Sequence, residues 1–361
     1  MPEDFRFNLE EIAGAIGDYG TLLPIIVGVA VVTEINMSSI LFFFGLAYIA
    51  NGIYYKLPMP VEPMKAIGAV AISGALTAGE IAAAGILMGL ILLLIGIFGG
   101  IDIIKKHIPE WLIRGIQFGL TLILLETALS FMIDDWFIGL LSIAIILLFF
   151  FIKVLDISSL IVFGLGLIIG IYYSGIPPLT FISWPEFTLP AIAEFRTGFW
   201  SGTIPQLPLT LGNAVLATSL LITDLFERKV SENKLVVSMG LMCIISSPLG
   251  GFPMCHGAGG LAAQYRFGAR TGGSNIISGI ILLVIAFFFA SPEIIEIIPY
   301  GVLGAMLFFT ALQMFQSAII TDKKILMIIT GFLAFITNIA VAFIVFFAFH
   351  QVLKHLNISG L

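Results

Sequence analysis

The chain has 361 residues, of which 59% are apolar and only 11% charged, and its net charge is -6. A soluble domain carries roughly 25% charged residues to cover its surface. Less than half that share, over several hundred residues, leaves no polar shell, which excludes a water-soluble enzyme and a disordered chain. Nucleic acid is excluded as a partner, because phosphate binding needs clustered Lys and Arg and the 16 basic residues are scattered. The sequence reads as an all-α polytopic membrane protein.

A bilayer crossing takes about 20 helical residues, so the length accommodates roughly fourteen spans. The start, MPEDFRFNLEE, is acidic where a secretory leader would be basic, so residues 1–11 are expected to form a cytoplasmic N-terminus. Apolar windows follow at about 12–33, 38–56, 63–77, 80–101, 110–132, 136–152, 157–175, 203–223, 234–248, 256–268, 274–291 and 297–318. The last stretch, about 325–353, has Thr337-Asn338 near its middle and reads as two short helices. The expected layout is a seven-span repeat over 12–175, an extracytoplasmic linker over 176–202, a second, inverted repeat over 203–355 and a cytoplasmic tail over 356–361.

Charge placement tests this map, since Lys and Arg gather on the cytoplasmic side of short loops. With the N-terminus inside, every basic residue but two falls on inner loops, Lys105, Lys106 and Lys153 among them. The exceptions are Arg196, outside, and Lys65, within a membrane segment. Outer loops receive Asp134, Asp135, Glu186, Glu194, Glu293 and Glu296. Cys243 and Cys255 lack CxxC spacing and suggest neither a disulfide framework nor a metal site.

The third and tenth windows are too short and too broken to cross as ordinary helices. Pro58, Pro60 and Pro63 keep the first extended up to a helix expected from Pro63 to Thr77, with Glu62 at a cap position and Lys65 in the first turn. In the second, Gly250, Gly251 and Pro253 precede Met254-Cys255-His256, so its helix starts near Gly257. Aligning Pro60 with Pro253 superposes the two breaks at a shift of seven spans, an odd number, which inverts orientation. Inverted repeats with broken helices meeting at the bilayer midplane form substrate sites, and irregular backbone at that depth is tolerated only where protein or a water-filled cavity covers it.

A helix N-terminus carries about half a positive charge. A lysine in that first turn therefore makes sense with an anion opposite. Lys65, with Glu62 and Met64 beside it, faces backbone donors near His256, Gly257 and Ala258 at the second break, where Gly259 and Gly260 allow close backbone approach. The alternative for Lys65 is a private salt bridge with Glu62, and for His256 a helix cap. Cys255 reads as packing, and Arg266 and Arg270 as topology anchors. By the same symmetry the first and eighth windows flank the site with Asp18, Gln206 and Asn213. Asp18 has a cap for its alternative role. Glu62 and His256 are the candidates for proton coupling.

The segments PMPVEPMKAIGAVAI, IPQLPLTLGNAVLA and GGFPMCHGAGGLAAQYRFGARTGGS resemble the molybdate transporter family, related to SulP-type sulfate permeases. The resemblance runs from Gly14 to about Gly273. It implies two inverted seven-span repeats, a core moving against a gate, a homodimer in the cell membrane, and molybdate as substrate, with sulfate or tungstate as further oxyanions. Glu62 departs from the family pattern, in which Gln is usual. Unlike SulP permeases, the chain ends soon after its last span, so no cytoplasmic regulatory domain is expected. No cofactor is expected, and neither HExxH nor GxSxG occurs, so the expected activity is secondary transport rather than catalysis. A nucleobase carrier on the same fold and an anion channel are the alternatives.

The charge asymmetry predicts that single cysteines replacing Glu186 and Lys229 are modified by an impermeant thiol reagent from opposite sides of the membrane. Labelling from one side would sink the inverted arrangement.

Overall fold

The computed structural model describes residues 5–33, 35–101, 107–133, 135–151, 158–176, 189–289 and 298–355. The expectations placed on Lys105, Lys106, Lys153, Asp134, Glu186, Glu293 and Glu296, on residues 177–188 of the 176–202 linker and on the 356–361 tail lie outside those residues. Within them the chain forms fifteen helices and one two-stranded sheet. The first half comprises α1 (Leu9–Ala15), α2 (Tyr19–Thr33), α3 (Met37–Tyr55), β1 (Glu62–Pro63), α4 (Lys65–Ile72), α5 (Ala78–Ile97), α6 (Glu110–Ile133), α7 (Trp136–Phe151) and α8 (Ser158–Ser174). The second comprises α9 (Ile192–Phe226), α10 (Glu232–Ser246), β2 (Met254–Cys255), α11 (Ala258–Arg266), α12 (Gly272–Phe288), α13 (Tyr300–Ala318), α14 (Lys324–Ile336) and α15 (Ile339–His355).

Helices α3, α5, α6 and α9 are each long and apolar enough to cross a membrane. Outward faces of these and of shorter helices are apolar too: Leu90 and Leu94 on α5, Leu140 and Leu148 on α7, and Ile328 and Phe332 on α14 are exposed. Apolar surface on this scale suits hydrocarbon and not water. Helix starts are marked locally. Asn36 accepts from the Ser38 and Ser39 amides ahead of α3, Thr77 and Glu80 form a capping box on α5, and Thr271 caps α12. Close helix pairs form where side chains are smallest. Gly52 of α3 faces the Gly272 carbonyl at the start of α12, and Gly89 of α5 faces the Gly240 carbonyl of α10, so a Cβ at either position would collide with backbone.

The two breaks differ from expectation in one respect. Helix α4 runs from Lys65 to Ile72 with Met64 as its N-cap, about 12 Å of rise, rather than from Pro63 to Thr77. Glu62 is therefore not a cap; it lies in β1, antiparallel to β2, with Glu62 opposite Cys255 and Pro63 opposite Met254. The Met64 amide donates to the Pro253 carbonyl at 2.9 Å, which holds this stretch extended. Helix α4 ends early because Gly74 turns the chain at a φ of 80°. Helix α11 begins at Ala258 with Gly257 as N-cap, where the second break predicts it.

Helix α9 starts at Ile192, inside the segment assigned to the linker, and contains π-helical turns at Gly198–Thr203 and Thr210–Ala217. Pro205 and Pro208 lie between them and supply no amide hydrogen to an α-helical ladder. The 325–353 stretch divides at Thr337-Asn338 into α14 and α15.

Candidate functional site

Both chain breaks lie at one place, and their backbone groups are paired there by buried side chains. Asn275 of α12 accepts from the Met59 amide at 3.0 Å and donates to the Met59 carbonyl. His256 Nδ1 lies 2.9 Å from the Pro60 carbonyl. A carbonyl only accepts, so Nδ1 carries the hydrogen, and in the neutral ring Nε2 accepts from the Ser238 hydroxyl at 2.8 Å. His256 thus ties the extended stretch before β1 to α10, as a structural tether and not a helix cap.

Glu62 is fully buried, and its carboxylate spans the gap between the two half-helices. Its Oε2 is 2.7 Å from Lys65 Nζ at the start of α4. Its Oε1 accepts from the Gly260 amide, in the first turn of α11, at 2.9 Å. Only glycine permits this approach: a Cβ at Gly257 would overlap the Glu62 carboxylate, and one at Gly260 would overlap Glu62 and Asp18 together. An anion is thus already gripped by an ammonium and by a helix N-terminus.

In front of this pair lies a cavity of about 320 Å³, within the range of small-ligand sites. Glu62, Lys65 and Cys255 form its floor, and Gly259, Ala263 and Arg266 of α11 form one wall. Helix α9 contributes Gln206 and Asn213. The Gln206 amide oxygen accepts from the Ala66 amide at 2.8 Å, and its nitrogen donates to Thr210 at 3.0 Å, so a free donor in the first turn of α4 is capped from α9. The far wall is polar but uncharged: Thr21 of α2, Gln117 of α6, and Thr310, Gln313 and Gln316 of α13.

The structure therefore brings Lys65, Glu62, Gln206, Asn213 and Gly259 together on one cavity. Met64, His256, Gly257 and Ala258 do not border it; Met64 and Gly257 are the N-caps of the two half-helices. Asp18 is 1% exposed and sits behind Glu62. It accepts from Tyr48 Oη at 2.7 Å instead of capping α2 with its side chain. The Lys65–Glu62 salt bridge exists, and Lys65 lines the cavity as well.

Cys255 and Arg266, read as packing and anchor, also border the cavity, and the far wall went unassigned. One signal for it was available: Thr310, Gln313 and Gln316 recur every third residue on an otherwise apolar span, which marks one helix face.

A family profile described as "Molybdate transporter of MFS superfamily" matches residues 10–124 and 198–314. Molybdate transporter 2 of Arabidopsis thaliana is 33% identical to this chain, covering 84% of it and 77% of that protein. Molybdate transporter 1 of the same plant is also 33% identical, over 87% of this chain and 80% of that protein. Among solved structures, the transmembrane domain of a cyanobacterium bicarbonate transporter, BicA, superposes with a TM-score of 0.70 at 17% identity, over 94% of this chain and 97% of that one. Murine Slc26a9, an anion transporter in the inward-facing state, gives 0.68 at 12% identity, over 97% of this chain and 69% of that one. These likenesses establish a shared helical membrane-transporter fold.

Gln206→Leu removes the acceptor of a buried backbone amide and is expected to lower stability by about 1 to 3 kcal/mol, the cost of an unpaired buried polar group. Thermal unfolding in detergent measures it, and an unchanged midpoint would remove Gln206 from that role.

Proposed function

The chain belongs to the molybdate transporter family, and on that premise we propose that it carries a tetrahedral oxyanion, molybdate first, across the membrane by alternating access around the cavity at Lys65. The observation that carries this reading is the Glu62 carboxylate held between Lys65 Nζ and the Gly260 amide. A solute oxyanion placed there would meet the same two donors from opposite half-helices. The amides and hydroxyls of Gln117, Asn213, Thr310 and Gln313 around it suit an anion that is held by hydrogen bonds and released again.

The proposed architecture is fourteen spans in two inverted seven-span repeats, forming a core and a gate, with both termini cytoplasmic in the cell membrane and the protein a homodimer. Two observations support the repeat. The half-helix starts, Lys65 and Ala258, are separated by the same interval as Pro60 and Pro253. Glu62 pairs across the sheet with Cys255, its own counterpart at that interval, and an antiparallel pair of counterparts lies on a local two-fold axis. In this orientation the cavity leads from Lys65 to the exposed Arg266 on the cytoplasmic side.

Proton coupling through Glu62 follows from competition. The arriving anion displaces the carboxylate from Lys65 and Gly260, and protonation of Glu62 frees both donors. By linkage the anion then favours protonation as much as protonation favours the anion. Acidification tightens binding, alkalinisation weakens it, and an inward proton gradient drives uptake.

Uptake of labelled molybdate into proteoliposomes, with sulfate in competition and with or without a pH gradient, tests the reading. Saturable uptake stimulated by the gradient is expected. Lys65→Ala should weaken binding by about 1.5 to 3 kcal/mol, the worth of a hydrogen bond to a charged group, and Lys65→Arg should also be impaired because a planar fork does not replace a compact ammonium. Unchanged affinity in a folded Ala variant would reject the site. Glu62→Gln should bind at least as well as the parent and lose most of its pH dependence; a retained pH profile would remove Glu62 from coupling.

A further inference from the structure

Asp18 is a buried acid beside the site for which oxyanion binding by Lys65 has no use. It is 1% exposed. Its Oδ2 accepts from Tyr48 Oη at 2.7 Å, while its Oδ1 is buried with no hydrogen-bond partner. That oxygen is aimed at Glu62: Asp18 Oδ1 and Glu62 Oε1 both crowd the one point a Gly260 Cβ would occupy. Glu62 already has its ammonium on Oε2 and its amide on Oε1.

Among the described residues, the groups facing Asp18 are few. Tyr48 of α3 faces it, as do Glu62 of β1, Lys65 of α4, Cys255 of β2 and its neighbour Tyr19. His256 faces Glu62 from behind β2, with both ring nitrogens engaged. Lys65 is the one cation in that set and is bound to Glu62. A second ionised carboxylate here would be a buried charge with a single neutral donor, pressed against another anion. Such groups take up a proton instead of remaining charged.

We propose that Asp18 and Glu62 form a one-proton carboxyl pair, with the proton on Asp18 Oδ1 donated to Glu62 Oε1. The proton gives Asp18 Oδ1 the hydrogen bond it lacks. Glu62 Oε1 can accept it alongside the Gly260 amide, because a carboxylate oxygen has two acceptor sites. Lys65, Glu62 and Asp18 then sum to zero charge. Without this proton they would sum to minus one and repel any anion entering the cavity. The functional consequence, but not the pair itself, rests on the oxyanion reading above: Asp18 holds a resident proton that keeps the site receptive, while Glu62 takes up a second proton from solvent when the anion displaces it.

Infrared absorption of the purified full chain in lipid, in H₂O and D₂O at neutral pH, tests the pair without measuring transport. A protonated carboxyl shows a carbonyl band, sensitive to deuteration, that carboxylates lack. The parent should show this band. Asp18→Asn should lose it, since Glu62 stays ionised against Lys65. Glu62→Gln should lose it as well, since Asp18 then becomes the counter-ion of Lys65. Glu11→Gln, at a buried carboxylate bound to the Arg270 and Thr271 amides, should keep it. Absence of the band in the parent, its survival in either pair variant, or its loss in Glu11→Gln would overturn the proposal. None of these outcomes depends on whether molybdate is carried, so failure here leaves the oxyanion reading to its own uptake experiment.

Discussion

At membrane depth no backbone amide or carbonyl can be left to water, and this fold breaks two helices there. Each break becomes the other's partner: β1 pairs with β2, and the Met64 amide bonds to the Pro253 carbonyl. Groups that the sheet does not reach are taken by single side chains: Met59 by Asn275, Pro60 by His256, and the Met254 carbonyl by the Cys243 thiol at 3.2 Å. Because the breaks are joined by their backbones, the starts of α4 and α11 are held at one place, and the positive ends of both helices are fixed there. The cost of burying Lys65, of order 2.5 to 3.5 kcal/mol on insertion scales, is offset by a carboxylate held by both half-helices.

Much of this was legible from residue order. The window at 110–132 became Glu110–Ile133 and that at 157–175 became Ser158–Ser174, because an apolar run long enough for hydrocarbon has few other fates. Two breaks rich in proline and glycine, with a lysine beside one of them, pointed to the site itself. What was misread depended on contacts between remote elements. Pro63 reads locally as a first-turn residue, and only the pull of β2 shows that it belongs to a strand. Gln206 could be noticed as polar, but nothing in its own span says that it caps α4.

The far wall was hidden for a related reason. A lone amide in an apolar span reveals that some face is polar, not which cavity that face turns towards. In α9 the two π turns further change the facing of residues on either side of them. Periodicity counted at 3.6 residues per turn therefore mislays positions there, whereas α13 keeps regular spacing and presents Thr310, Gln313 and Gln316 on a single stripe.

The tether on Glu62 has a bearing on which ions the site admits. A carboxylate attached to the same backbone as its partner lysine acts as a competitor at an effective concentration of at least the millimolar order. On the proposed reading, a solute anion has to displace it from Lys65 and from the α11 amide before it can stay. A monovalent ion offers those donors no more charge than the carboxylate it replaces, and gives up its own hydration to do so. A divalent ion doubles the Coulomb attraction at the same distance. On the proposed reading, the carboxylate of Glu62 is thus a built-in competitor that any carried anion must outbind, and the valence of that anion bears on whether it can.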